Sequence, residues 1–236
     1  SEATFTGLSS NAVVAIIGKD IRSELRTKEM VASMFVFSVL VLLVFNFTLA
    51  IDSDAALEHG PAILWIAFIF AGSLGLNRSF AAERENRSIH GLMLAPVDRS
   101  VLYFGKLVSN VLFMLVAEVC LLPLFMVFFN MNLFSELPPS AFLTFLLVMA
   151  VGTLGYCAVG TTLAAVAANT TMREVLLPVL LFPVVVPVVI GAAESTRLIF
   201  QPDPLSSPWG WIRLLAAFCV VFMVVSWLAF EYVLEE

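Results

Sequence analysis

The sequence predicts an all-α integral membrane protein with six transmembrane helices, and three observations carry that prediction. The 236-residue chain is 61% hydrophobic and only 13% charged, with a mean hydropathy of +1.01. A soluble domain of this size carries roughly 25% charged residues, so the surplus apolar surface here must face lipid. Six apolar stretches also reach the length of about 20 residues that a helix needs to cross a hydrocarbon core about 30 Å thick. Finally, ten of the twelve Lys and Arg fall at one end of those stretches.

Residues 1–30 come first. The stretch NAVVAIIGKDIRSELRTKE (11–29) is too charged in its second half to cross a bilayer. Val13, Ile16, Ile17, Ile21 and Leu25 recur at helical spacing, with Asp20, Arg22, Glu24 and Arg26 around them. This predicts an amphipathic helix in the cytoplasmic interface. Two roles fit it equally: an anchor on the lipid surface, or an elbow that moves with a transport core. The start of the chain shows no pattern of basic, apolar and small-residue regions, so no cleavable signal peptide is expected.

The six-span domain is expected over 31–236, with spans at about 31–51, 61–80, 101–129, 141–168, 175–193 and 209–234. Asp52-Ser53-Asp54, Pro138-Pro139 and the segment from Pro202-Asp203-Pro204 to Pro208 supply turn chemistry between several of them. Lys19, Arg22, Arg26 and Lys28 precede the first span. Arg78, Arg84, Arg87, Arg99 and Lys106 lie between or at the ends of spans two and three, and Arg173 lies between four and five. The opposite loops hold mainly acidic residues, with Arg197, while Arg213 begins span six and snorkels outward. The positive-inside rule then places both termini in the cytoplasm and loops 52–60, 130–140 and 194–208 outside.

One stretch stands apart from the apolar background. ERENRSIHGLMLAPVDRSVLYFGK (83–106) gathers seven charged residues between two spans. Ile89, Leu92 and Met93 fall on one helical face, and Pro96 disfavours helix at Ala95. Asp98 occupies a helix N-cap position, so the third span is expected to open near Arg99. A short amphipathic helix here is either an inert interfacial hairpin or a knob that docks into a groove on a cytoplasmic motor.

The pattern resembles the cytoplasmic coupling segment (83–100 here) of ABC exporter permeases of the type-two, non-drug-pump architecture. The matching positions are Glu83 or Glu85, Leu92-Met93-Leu94, Pro96 and Lys106; Asn86-Arg87 stands where that architecture usually has an acidic-Gly pair. Prolines 178, 183 and 187 in the fifth span, TLGYCAVGTTLAAVAA (153–168), the LMLAP turn and LLPL (121–124) extend the resemblance over nearly the whole chain. Together they look like the haem exporter B family (CcmB) of cytochrome c maturation. That resemblance implies a homodimeric permease in the bacterial inner membrane. It would be driven by a CcmA-like cytoplasmic ATPase and act with a CcmC-like haem-handling membrane protein and a CcmE-like periplasmic haem chaperone. Haem would be substrate or lie in a partner, ATP would sit in the ATPase, and no cofactor would be bound tightly.

Within the spans, Glu118 is the one acidic residue at depth. A central Asp costs roughly 2.5–3.5 kcal/mol on insertion scales and Glu is expected to be similar, so Glu118 must face protein or water, or carry a proton. Asn46, Asn110, Thr153 and Tyr156 are its candidate partners. Pro178, Pro183 and Pro187 preclude a straight fifth helix and make it either a fixed kink or a gating hinge. Gly160, Ala164 and Ala168 form a small-residue seam along span four. His59, on an outer loop, is a candidate axial haem ligand, though a lone loop histidine is ordinarily a polar surface residue. His90 is expected to touch a partner or headgroups. Cys120, Cys157 and Cys219 lie in apolar runs and read as packing residues.

Other functions are disfavoured. The net charge of −6 argues against nucleic acid, and no G-x-x-x-x-G-K-[ST] loop is present, so ATP hydrolysis must reside in a partner. No metal-ligand cluster is expected, and a lone Glu118 does not make an enzyme site. A secondary transporter would need more intramembrane polar groups and an internal repeat. An ABC exporter of lipid, polysaccharide or drug shares the coupling segment and is the alternative within the same class.

Overall fold

The computed structural model describes residues 2–49, 53–85, 99–131, 137–168, 170, 172–201 and 206–233. Among them the backbone forms seven α-helices and no strand. They are α1 (Glu2–Thr27), α2 (Glu29–Leu49), α3 (Ser53–Glu85), α4 (Arg99–Phe128), α5 (Pro139–Ala168), α6 (Arg173–Phe200) and α7 (Pro208–Val233). All but α1 are long and apolar enough to cross a membrane. The protein is an all-α, multi-pass membrane protein.

Two helices are longer than the sequence suggests. α3 begins at Ser53 rather than at Pro61, so most of the expected outer loop 52–60 is helical. Pro61 looks like a first-turn residue, yet a proline removes only its own donor. Ahead of it Ala55, Ala56 and Leu57 are good helix formers, and Ala56 is buried. α6 continues to Phe200, past the charged Glu194. The Ser195 and Thr196 hydroxyls donate back to the Gly191 and Ala192 carbonyls at 2.6 and 2.7 Å, and Arg197 grips Glu194 at 2.9 Å. These polar residues satisfy themselves on the helix, so it need not end. The three prolines of α6 also sit inside one continuous helix. Pro183 and Pro187 face outward, so the turns they weaken lie away from the bundle interior.

α3 and α5 form the centre. Their apolar windows are 72% and 56% buried, against 22–33% for the other four spans. α3 packs on α2, α4, α5 and α6, while α5 packs on α3, α4, α6 and α7. Apolar burial gives little net drive between helices in lipid, so association depends on close approach at small residues. A Cβ on Gly152 of α5 would lie 2.5 Å from the Trp65 ring of α3, and one on Gly160 would strike Leu76. Gly72 and Gly75 of α3 likewise receive Met114 and Met34. Gly160 of the small-residue seam thus packs within the subunit, and Gly155 lies against Cys219 of α7. Trp65 cannot step aside, because its indole N–H donates to Thr196 Oγ1 at 3.0 Å.

Gly152→Ala should therefore lower stability by about 1–3 kcal/mol through overpacking. Gly210→Ala, with open space around its Cβ, should not. Thermal unfolding of the two variants in detergent checks the contrast; equal melting temperatures would contradict it.

Candidate functional site

The helix ends assemble one basic end of the bundle. The first residues of α2, α4 and α6 and the last of α3, α5 and α7 meet there. Arg78 pairs with Glu29 at 3.5 Å, and the Trp227 indole donates to Ser100 Oγ at 2.9 Å. Lys19, Arg22, Arg26, Lys28 and Lys106 lie at the same end. Arg197 and Arg213 lie at the other, where Arg213 is exposed.

α3 runs for 33 residues, about 50 Å at 1.5 Å per residue, well beyond a hydrocarbon core of about 30 Å. Its last turn carries Glu83 and Glu85 out past the apolar span, which ends at Ser79. α4 takes up the chain again at Arg99. Ile89, His90, Leu92, Met93, Leu94, Pro96 and Asp98 lie outside the described residues.

Lys106 is buried rather than on the surface. Two turns into α4, it is 5% exposed, and its Nζ donates to Asp20 Oδ2 of α1 at 2.9 Å. Asp20 is itself 8% exposed and also lies 3.3 Å from Lys19. Beside this pair, Ile16 of α1 rests on Gly105. α1 is thus docked on α4, with Ile16 buried and Leu25 exposed, rather than lying free on a surface. The sequence marks Ile16 and Asp20 only as members of an amphipathic stretch and gives Gly105 no role; their i, i+4 spacing puts the first two on a shared face, but not against which helix.

The antiparallel pair α4 and α5 carries an internal polar seam. Asn110 Nδ2 donates to Thr161 Oγ1 at 3.0 Å, and two turns further Thr153 Oγ1 donates to Glu118 Oε1 at 2.7 Å. Between those rungs, Met114 and Cys157 line a small cavity with Asn110, Tyr156, Met34 and Gly72. Each step of four residues forward on α4 matches four backward on α5, the register of one helical face on each. Thr153 is thus the partner of Glu118 among the four sequence candidates. Asn46 instead donates to the Phe128 carbonyl at 2.6 Å, Asn110 to Thr161, and Tyr156 to the Ile69 carbonyl at 2.9 Å. Glu118 is 1% exposed, and its Oε2 is buried without a hydrogen-bond partner.

His59 stands exposed on the early turns of α3, at the end opposite the basic one. Among the described residues no group of three His, Cys, Asp or Glu side chains gathers to hold a metal. Cys157 and Cys219 are buried and Cys120 is exposed, all as free thiols.

A family model described as "CcmB protein" matches residues 11–236. The chain belongs to the CcmB family. It resembles the "Heme exporter protein B" of Bradyrhizobium diazoefficiens, 30% identical over 220 residues, which are 91% of this chain and 93% of the relative. The Pseudomonas aeruginosa protein of the same name is 26% identical over 208 residues, 88% and 91% of the two chains. That of Rhodobacter capsulatus is 26% identical over 183 residues, 78% and 81%. The CcmB match takes in α1 from residue 11 and all six candidate spans, so the docked helix and the polar seam both lie within the family's matched length.

Removing the hydroxyl that serves Glu118 leaves a second buried carboxyl oxygen without a donor. Thr153→Val should destabilise by about 1–3 kcal/mol, whereas Thr153→Ser, which keeps the hydroxyl, should lose much less. The melting temperatures of the two variants in detergent test this, and equal losses would assign the effect to packing alone.

Proposed function

We propose that the chain is the permease subunit of an ATP-driven complex that exports haem, or hands it to a periplasmic carrier, during cytochrome c maturation. The observation that carries this reading is the CcmB match over residues 11–236, beside relatives named "Heme exporter protein B" that align with 88–91% of this chain. The basic end faces the cytoplasm, as the positive-inside rule requires, with both termini on the cytoplasmic side of the bacterial inner membrane. A CcmA-like ATPase docks there on the coupling segment 83–100. The permease works as a homodimer beside a CcmC-like haem-handling protein and a CcmE-like chaperone. Haem is substrate, and the chain itself performs no catalysis.

The mechanism follows from which helices flank the docking segment. Closure of the ATPases on nucleotide presses on 83–100 and displaces the ends of α3 and α4 as rigid elements. α3 is the most buried span, so its movement must reach α5 and α6. α4 moves against α5 along the seam that holds Glu118. α6, weakened at Pro178, Pro183 and Pro187, is the hinge that absorbs the change. His59 at the outer end is the one exposed histidine near the delivery side among the described residues.

Purification of the tagged protein in mild detergent should recover a small Walker-A ATPase together with a haem-handling membrane protein. An ATPase with no such companion would keep the permease role but move the cargo to lipid, polysaccharide or drug. No ATPase at all would sink the reading. In the same complex, Leu92→Asp or reversal of Glu83 and Glu85 to Lys should abolish mature cytochrome c while leaving the chain inserted. Normal cytochrome c in these variants would remove the coupling role from 83–100.

A further inference from the structure

Residues 86–98 lead into α4, and α4 is also the helix on which α1 is mounted. The mounting has two parts, one turn apart. A Cβ on Gly105 would lie 2.9 Å from Ile16 Cγ2 and 3.0 Å from Ile16 Cβ. Only a residue without a side chain lets α1 approach α4 this closely, so that contact fixes the separation. Four residues on along α1, Asp20 meets Lys106 at 2.9 Å, with side chains only 9% and 7% exposed. An ion pair largely out of water holds direction as well as distance. Together the two contacts fix the rotation of α1 about its own axis.

The joint between α1 and α2 is built differently. One residue, Lys28, separates the helices, in the left-handed region at φ 56°. Such a conformation disfavours an L side chain and holds only where its surroundings maintain it. The Glu24 carboxylate supports the joint by accepting the Val31 N–H at 2.9 Å. α1 is therefore clamped at two points to α4 and joined to α2 through a single strained residue.

We infer that α1 and α4 move as one body, with Asp20, Lys106, Ile16 and Gly105 as the positioning residues that deliver a displacement of α4 to α1. This rests on the permease reading and deepens it. It makes Lys106 an internal transmission residue rather than an ATPase contact, and it selects the elbow over the passive anchor as the role of α1. The bend that permits the movement lies at Lys28.

The test uses the whole complex in proteoliposomes. Cys120, Cys157 and Cys219 are first replaced by Ala, and I16C and G105C are then introduced. Disulfides take Cβ separations of about 3.5–4.5 Å, so a small adjustment from 3.0 Å closes this one. If the helices move as one body, oxidation leaves ATP turnover and cargo delivered per ATP within about twofold of the reduced form. A loss on oxidation that reductant restores would mean that α1 parts from α4 during the cycle, and would overturn the inference. Asp20→Asn supplies the second readout. It should leave ATPase co-purification intact and lower cargo delivered per ATP by about fivefold, and the I16C–G105C disulfide in the same chain should restore it. A per-ATP yield indifferent to Asp20→Asn, or not rescued by the disulfide, sinks this proposal alone. Absence of the ATPase from the unsubstituted complex sinks it together with the permease reading.

Discussion

Helices surrounded by lipid gain little by covering one another's apolar faces, and the whole bundle is arranged around that constraint. Close approach and a few internal hydrogen bonds must do the holding. The centre accordingly consists of α3 and α5, where rigid or bulky side chains enter gaps left by glycine. Trp65 illustrates how the two devices combine. Its ring occupies the space over Gly152 while its N–H is tied to Thr196, so one residue joins α3, α5 and α6. Replacing any of the three partners affects a contact in another helix pair.

The same constraint explains where polarity sits. Away from water each polar side chain needs a partner inside the protein, and Asn110, Glu118 and Tyr156 all point inward and find one. The α4–α5 seam consequently holds two side-chain hydrogen bonds at depth. In the proposed mechanism it is also where α4, displaced at its basic end, must move against the central α5. A seam held by two discrete rungs has a small set of registers, whereas a purely apolar one would slide continuously. Glu118, with one oxygen held and the other unpartnered, is the position on that seam where a second arrangement would find an acceptor waiting.

Much of this was legible in the sequence because lipid imposes simple rules on composition. The six apolar runs correspond to six helices, and Glu118 stands out as the only acid at depth. What could not be read was register. Asn46, Asn110, Thr153 and Tyr156 were equivalent as partners until the α4–α5 alignment paired 118 with 153. Asp20 and Lys106 lie 86 positions apart, and nothing local to either announces the other; Lys106 was instead matched to a family position at the mouth of a span. Two boundaries were misplaced for local reasons. Pro61 imitates a helix start, and Glu194 imitates a helix end, while the neighbouring alanines and the self-satisfied Ser195 and Thr196 extend the helices past both.

The central claim is that the segment between α3 and α4 receives a cytoplasmic ATPase. Photo-crosslinking in native membranes tests it most directly, with the reactive group placed in turn at residues 92, 93 and 134. An ATP-sensitive adduct with a Walker-A ATPase should form from 92 and 93 and none from 134, which falls in the expected outer loop 130–140. Adducts with lipid alone from 92 and 93, or an ATPase adduct from 134, would contradict it.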